Sequence, residues 1–223
     1  MPSYARRHQL TGSLAYHAFN RSNARIPIFR TQNDYGHFIR LLKDYRNQFA
    51  IKLYHWVIMN NHYHILFEIE TPENTSKFMA GLARAYTHYH HKTYHGSGFL
   101  WQGRFKLQPV QKEKYLIICG RYIERNPVQA NVVLEAQNYP YSSSRFYCSG
   151  FHDGITFEDP LYKDFGNESN TRQEKYKEFL RNFDSEEEKA FQELESPQGD
   201  KEFIKKLIKE GGRYMPRRKG QPR

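Results

Sequence analysis

Apolar and polar positions follow two different periods along the first 130 residues, and the switches between them predict an order of elements. Residues 13–20 alternate, with Leu14, Tyr16 and Ala18 on one side and Ala15, His17 and Phe19 on the other, the period of a strand. A turn-rich stretch with Asn23 and Pro27 follows. Across 34–49 the apolar residues fall at 38, 41, 42, 45 and 49, the spacing of an amphipathic helix, with Asn33 as its candidate cap. Residues 51–59 and 62–70 predict two strands separated by Asn60 and Asn61. Asparagine tolerates positive φ, so the pair suits a two-residue hairpin. The second of these strands sorts by parity. Tyr63, Ile65, Phe67 and Ile69 form a core face, and His62, His64, Leu66 and Glu68 form the other. Thr71-Pro72 opens a second helix, with apolar positions at 78, 82, 85, 86 and 89 and an end at Gly96-Ser97-Gly98. Residues 99–111 read as a strand interrupted at Gly103. Residues 112–126 read as a helix that Pro127 stops, because the residue before proline disfavours the helical region.

The order strand–helix–strand–strand–helix–strand–helix, with its hairpin, predicts an α+β fold: a ferredoxin-like antiparallel sheet with helices on one face, plus a C-terminal helical extension. From Gly150 the composition turns acidic and polar, with short helices expected at 171–183, 185–194 and 201–210. The expected organisation is a main domain over 1–148, a helical accessory region over 149–212 and a basic, mobile tail over 213–223. No internal repeat is visible.

Composition narrows the function classes. A chain of 223 residues holds one well-buried domain and an extension. No apolar run approaches the roughly 20 residues of a membrane span, and Met1 to Leu10 lacks the apolar core of a secretory signal. Cys119 and Cys148 lie far apart without a CxxC spacing, which argues against a disulfide framework or zinc ribbon and fits a reducing cytoplasm. Residues 1–150 carry 19 Lys+Arg against 8 Asp+Glu, 151–212 carry 10 against 16, and 213–223 carry 5 against none. The positive charge therefore sits on the first two-thirds, among many Tyr, Phe and His, a composition suited to phosphates and stackable bases. Solubility alone is the simpler account of the same charge.

Two constellations could carry chemistry. His62 and His64, at i and i+2 on a strand, project from one face about 7 Å apart at the backbone and can reach one metal. Two surface histidines would give the same pattern. Tyr122 and Asn126, four apart on a helix, share a face. Asn126 offers a neutral oxygen as a third ligand, a mixed donor set suited to Mg or Mn, and a metal that polarises a phosphate would offset the poor nucleophilicity of a neutral tyrosine. On spacing alone, a helix tyrosine packed on the sheet is the simpler reading. His88, His90, His91 and His95 include an i, i+4 pair but have no nearby cysteine or carboxylate to complete a zinc site.

Several strings, taken together, resemble a known family. Met59-Asn60-Asn61-His62-Tyr63-His64-Ile65-Leu66 resembles the HUH motif of single-tyrosine transposases. Leu100-Trp101-Gln102-Gly103-Arg104-Phe105-Lys106 resembles their following strand, and Arg121-Tyr122-Ile123-Glu124-Arg125-Asn126-Pro127-Val128-Gln129-Ala130 resembles the helix carrying their nucleophile. Tyr139-Pro140-Tyr141-Ser142-Ser143-Ser144 resembles the segment that closes the domain, and Tyr16-His17 and Asn20-Arg21 also match. The likeness spans roughly residues 10–148 and is nearest to the REP-associated tyrosine transposases. Asn60 stands where many members have proline, and Tyr63 where a hydrophobic residue is usual.

The resemblance implies an HUH endonuclease fold and a metal-dependent enzyme that cuts and rejoins single-stranded DNA through a covalent 5′-phosphotyrosine. It makes Tyr122 the nucleophile, and His62, His64 and Asn126 the ligands of Mg or Mn. It implies a REP hairpin as the DNA partner, with His17, Asn20, Arg21, Arg104, Lys106 and Arg125 as candidate DNA contacts. It further implies a cytoplasmic, nucleoid-associated protein, a monomer or homodimer. The alternative reading is a hairpin-DNA-binding architectural or regulatory protein that keeps the fold without catalysis.

Overall fold

The computed structural model describes residues 14–71, 73–192 and 196–211; the tail expected over 213–223 and Pro72 lie outside them. A four-stranded antiparallel sheet runs in the order β2-β3-β1-β4, with β1 Ala15–Arg21, β2 Ile51–Ile58, β3 His62–Ile69 and β4 Lys106–Val110. The crossover helices are α1 Gln32–Gln48, between β1 and β2, and α2 Asn74–Tyr94, between β3 and β4. This is the ferredoxin-like α+β arrangement expected from the pattern.

The faces follow from the periodicity. Tyr16, Ala18, Tyr63, Ile65 and Phe67 meet Phe38 and Leu42 of α1 and Phe78, Leu82 and Tyr86 of α2 in one core. The other face is not left to water. A third helix, α3 Lys112–Gln129, lies across it, and Leu116, Cys119, Tyr122 and Ile123 pack on Ala15, Val57, Leu66 and Val110. The two crossover helices thus share one face as expected, whereas the added helix takes the opposite one. The apolar stripe of α3 and the apolar members of the histidine face, Leu66 and Val110, bury each other.

Local chemistry moves several boundaries. Thr31, not Asn33, caps α1: its side chain accepts from the Asp34 N–H while the Asp34 carboxylate accepts from the Thr31 N–H, a reciprocal capping box. The hairpin has its two-residue loop, closed by Met59 N–H to His62 O at 2.8 Å, but neither asparagine has positive φ. The Asn60 carbonyl instead accepts from Ile28 and Phe29, at 2.8 and 3.0 Å. The strand expected over 99–111 forms only from Lys106, because Trp101 bridges to Ser22 and the chain turns through Gly103 before joining β1. A bulge in β2 between Leu53 and His55 turns both Tyr54 and His55 toward α3.

Beyond the sheet lie α4 Ser144–Ser149, α5 Ser169–Arg181, α6 Ser185–Gln192 and α7 Lys201–Gly211, the last three close to the expected helices. Residues on both sides of position 148 share the cores. Ile155 is buried with the α1–α2 core, and Phe157 N–H donates to Leu53 O along the β2 edge. At the other sheet edge, Gln198 N–H donates to Pro109 O and Gln198 O accepts from Gln111 N–H, both at 2.8 Å. Both edge strands are therefore partly covered, which removes free edge groups that invite association.

Candidate active site

The face beneath α3 carries a polar row among apolar neighbours. Strand register places Arg21 opposite His62, Phe19 opposite His64 on one side and Lys106 on the other, and His17 opposite Gln108. His62 and His64 are on this common face as expected, with ring centroids 5.3 Å apart.

A buried relay orients His64. Gln108 Oε1 is 3.1 Å from His17 Nδ1, and His17 Nε2 is 2.8 Å from His64 Nδ1. An amide oxygen only accepts, so His17 Nδ1 carries the proton and its Nε2 accepts the hydrogen bond that His64 Nδ1–H donates. That leaves the His64 Nε2 lone pair free. His62 is set similarly, its Nδ1 donating to Asn61 Oδ1 at 2.6 Å. Burial lowers the pKa of all three imidazoles: His17 and His62 to about 4, and His64 well below its ordinary value with the neighbouring histidines adding to the effect. They are neutral at pH 7, the protonation state in which imidazole ligates metal.

Asn126 completes the set through a local device. Pro127 does not stop α3, which runs on to Gln129. Proline has no N–H to offer the carbonyl of Ile123, four residues back. The Asn126 Nδ2 supplies it instead, at 3.2 Å, and also donates to Tyr122 O at 2.9 Å. With the nitrogen held by its own helix, the Asn126 oxygen is left to face His62, whose protonated form it favours. Two imidazole nitrogens and an amide oxygen, each with a lone pair and two of them in contact, fit a divalent cation of the Mg or Mn type. Among the described residues no three His, Cys, Asp or Glu side chains are arranged to hold a metal ion, so any cation here relies on the amide.

Tyr122 lies over this set. Its ring stands edge-on to His17 and His64, with centroids 5.9 and 5.7 Å away, and Phe191 of α6 stacks on it at 5.8 Å. Only 6% of Tyr122 is exposed.

A second buried cluster seats α3 on the sheet. His55 lies between Glu124 Oε1, at 2.9 Å, and Asp159 Oδ2, at 3.0 Å. Glu124 also accepts from Ser143 at 2.6 Å and Tyr176 at 3.0 Å. Burial alone would lower the His55 pKa, but the hydrogen bonds and charges of the two carboxylates overcome it and push the pKa up to about 9. Gly120 admits this ring: a Cβ there would stand 2.5 Å from His55 Nε2.

Three of the six expected DNA contacts face inward. His17 is fully buried and orients His64. Asn20 is buried, with Oδ1 accepting from Arg21 N–H at 3.0 Å. Arg125 is buried, its guanidinium 3.4 Å from the Phe183 ring centroid and donating to Leu180 O at 2.6 Å. They are corrected from surface contacts to internal supports: α3 covers His17, α5 covers Arg125, and Asn20 lies on the opposite, α1–α2 face beside Tyr63. Arg104 and Lys106 are exposed, and Arg21 is half-buried, held by Gln102 Oε1. The motif reading missed Gln108, His55, Asp159 and Phe191. Gln108 was within reach, since it shares strand parity with Lys106 and hence the histidine face. Among the helical histidines, His91 is used locally, its Nε2 donating to Gly98 O at 3.1 Å.

No helix among the described residues is long and apolar enough to cross a membrane. No curated protein matches the chain. A solved structure of a REP-associated tyrosine transposase bound to a REP hairpin is similar in fold, with a TM-score of 0.56 and 19% identity over 71% of this chain and 90% of that one. The family model described as "Transposase IS200 like" matches residues 11–126, which hold His62, His64, Tyr122 and Asn126, and the chain belongs to this family of IS200-like transposases.

Proposed function

We propose that this transposase cleaves and rejoins single-stranded DNA at hairpins of the REP type, with Tyr122 as nucleophile. The observation that carries the reading is the placement of the Tyr122 ring 5.7 Å from His64, on the helix whose Asn126 meets His62.

A divalent cation of the Mg or Mn type, held by His62, His64 and Asn126, would supply positive charge to a bound phosphate and make its phosphorus more electrophilic. The rest is done by the chain. Tyr122 Oη attacks the phosphorus, the bond to the 3′ oxygen breaks, and a 5′-phosphotyrosine and a free 3′-hydroxyl result. The ester energy is conserved, so attack by another 3′-hydroxyl reverses the step and joins strands without an external energy source. The Gln108–His17–His64 relay keeps the imidazole aimed throughout. Arg21, Arg104 and Lys106 form a basic rim that receives backbone phosphates.

The test is a denaturing gel of protein incubated with labelled hairpin DNA and Mn or Mg, beside Tyr122→Phe. A covalent protein–DNA band that is lost in the variant is the expected result. Cleavage that persists in the variant would mean that water attacks, and binding without cleavage in the parent would mean a non-catalytic hairpin-binding protein.

A further inference from the structure

One end of the sheet is built as a rigid, cationic platform. The exit of β1, the β2–β3 turn and the run into β4 are knitted by backbone bonds. Ser22 N–H donates to Asn61 O at 2.8 Å, Asn23 N–H to Leu100 O at 2.8 Å and Gln102 N–H to Arg21 O at 2.9 Å. Asn61 Nδ2 donates to Arg25 O at 2.9 Å, and Trp101 Nε1 is anchored to Ala83 O at 3.0 Å. Ala24 and Arg25 are held in the left-handed region, with φ of 51 and 57°. Two adjacent residues other than glycine persist there only when the surroundings over-determine the backbone, and such strain gathers at ligand clamps.

This rigid frame holds an aromatic ring out in water. Phe99 is 89% exposed, while the next residue, Leu100, is buried and Trp101 is packed against Tyr63 and Tyr86. The bonds at Leu100, Trp101 and Gln102 keep Phe99 from folding back to cover its own apolar surface. The segments 14–33, 59–67 and 95–112, which supply this platform, contain Arg21, Arg25, Arg30, Arg104, Lys106 and Lys112 but no Asp or Glu. The platform is continuous with the candidate active site, since Arg21 is the strand partner of His62.

We propose that Phe99 is a stacking post for an unpaired nucleobase in the single-stranded stretch that runs between the hairpin and the His62–His64–Tyr122 site. The inference rests on the DNA-processing reading above and adds the part of the substrate this loop takes. An exposed aromatic ring on a platform whose own segments carry arginines and lysines but no carboxylate suits bases joined by phosphates, because every base offers a π-face. The same ring would be a poor surface for a basic or neutral protein partner ringed by those charges.

The experiment is equilibrium binding of the full chain to two oligonucleotides, one a blunt-ended hairpin and the other the same hairpin with a short single-stranded flank containing 2-aminopurine. Phe99→Ala is expected to weaken binding of the flanked hairpin about tenfold and leave the blunt one unchanged, as loss of one stacked base requires. Phe99→Trp is expected to restore affinity, and 2-aminopurine quenching should occur with the parent but not with Phe99→Ala. Equal affinity of parent and Phe99→Ala for the flanked hairpin overturns the proposal. So does an equal loss on both oligonucleotides, or a Phe99→Ala effect only on self-association in sedimentation. A parent protein that binds neither oligonucleotide would instead remove the DNA-processing reading, and this proposal with it.

Discussion

At the scale of single residues, the unusual feature is how far the candidate ligands depend on side chains that bind nothing themselves. His64 faces the site with its Nε2 lone pair because its Nδ1–H donates to His17, and His17 can accept there because its own Nδ1–H donates to Gln108. Gln108→Leu removes that acceptor while preserving bulk. It releases the tautomer of both imidazoles without touching a ligand. Outer partners of metal-bound histidines are worth about 10–100-fold in affinity. The expected outcome is a loss of that size in Mn affinity, read by isothermal calorimetry, while Tyr122→Phe binds Mn as the parent does. Unchanged Mn affinity in Gln108→Leu would mean that the relay does not set the ligand.

At the scale of elements, the seating of α3 decides whether Tyr122 and Asn126 meet the histidines. His55 and Glu124 fasten the helix to β2, and Asp159 adds the loop after α4. These groups titrate in opposite directions. The folded pKa of His55, about 9, lies above the unfolded value of about 6.5, so its stabilisation is complete below pH 6.5 and is lost as pH rises toward 9. His17 and His62, at about 4, lie below it, so the unfolded chain binds more protons and stability falls as pH drops from 6.5 toward 4. Each group changes stability by up to about 1.4 kcal/mol per pH unit inside its window. Melting temperature against pH should therefore peak near neutrality and fall on both sides, and His55→Gln should lower the maximum and flatten the alkaline limb. An alkaline limb that stays steep in His55→Gln would show that another group drives it.

At the scale of the whole molecule, the positive charge of the first two-thirds is divided between two jobs. Some of it is internal: Arg121 and Arg125 lie over Phe179 and Phe183 and tie α3 to α5 through the carbonyls of Asn182 and Leu180. Arg104 and Lys106 are exposed, and Lys106 is the strand partner of Phe19 on the histidine face. Only the second kind can release counterions on binding DNA. Arg104→Ala and Lys106→Ala should each reduce the slope of log affinity against log salt by about 0.7 for single-stranded DNA. Arg125→Ala should lower the melting temperature and leave that slope alone. A slope change in Arg125→Ala with no loss of stability would return that residue to the DNA surface.

The sequence by itself determined what depends on neighbours along the chain. Strand and helix periods follow from which side of the backbone each residue faces, so the strand–helix order, the shared face of His62 and His64 and the pairing of Tyr122 with Asn126 were all legible. Capping, turn and proline effects were only partly so, because they depend on what the freed backbone groups meet. Thr31 rather than Asn33 reaches the Asp34 N–H, and the Asn126 amide carries α3 through Pro127. Burial was legible for the apolar strand faces but not for the polar residues that a distant helix covers. Asn20 shares the strand parity of Tyr16 and Ala18 and so the core face, but His17 and Arg125 are polar residues in a basic, motif-bearing stretch, and nothing local distinguishes them from Arg104 or Lys106. The difference is that α3 closes the histidine face and α5 closes the outer side of α3, and coverage by an element distant in sequence is a property of the tertiary structure alone. The same holds for Glu124 and Asp159, which are 35 positions apart and become one site only where β2 puts His55 between them.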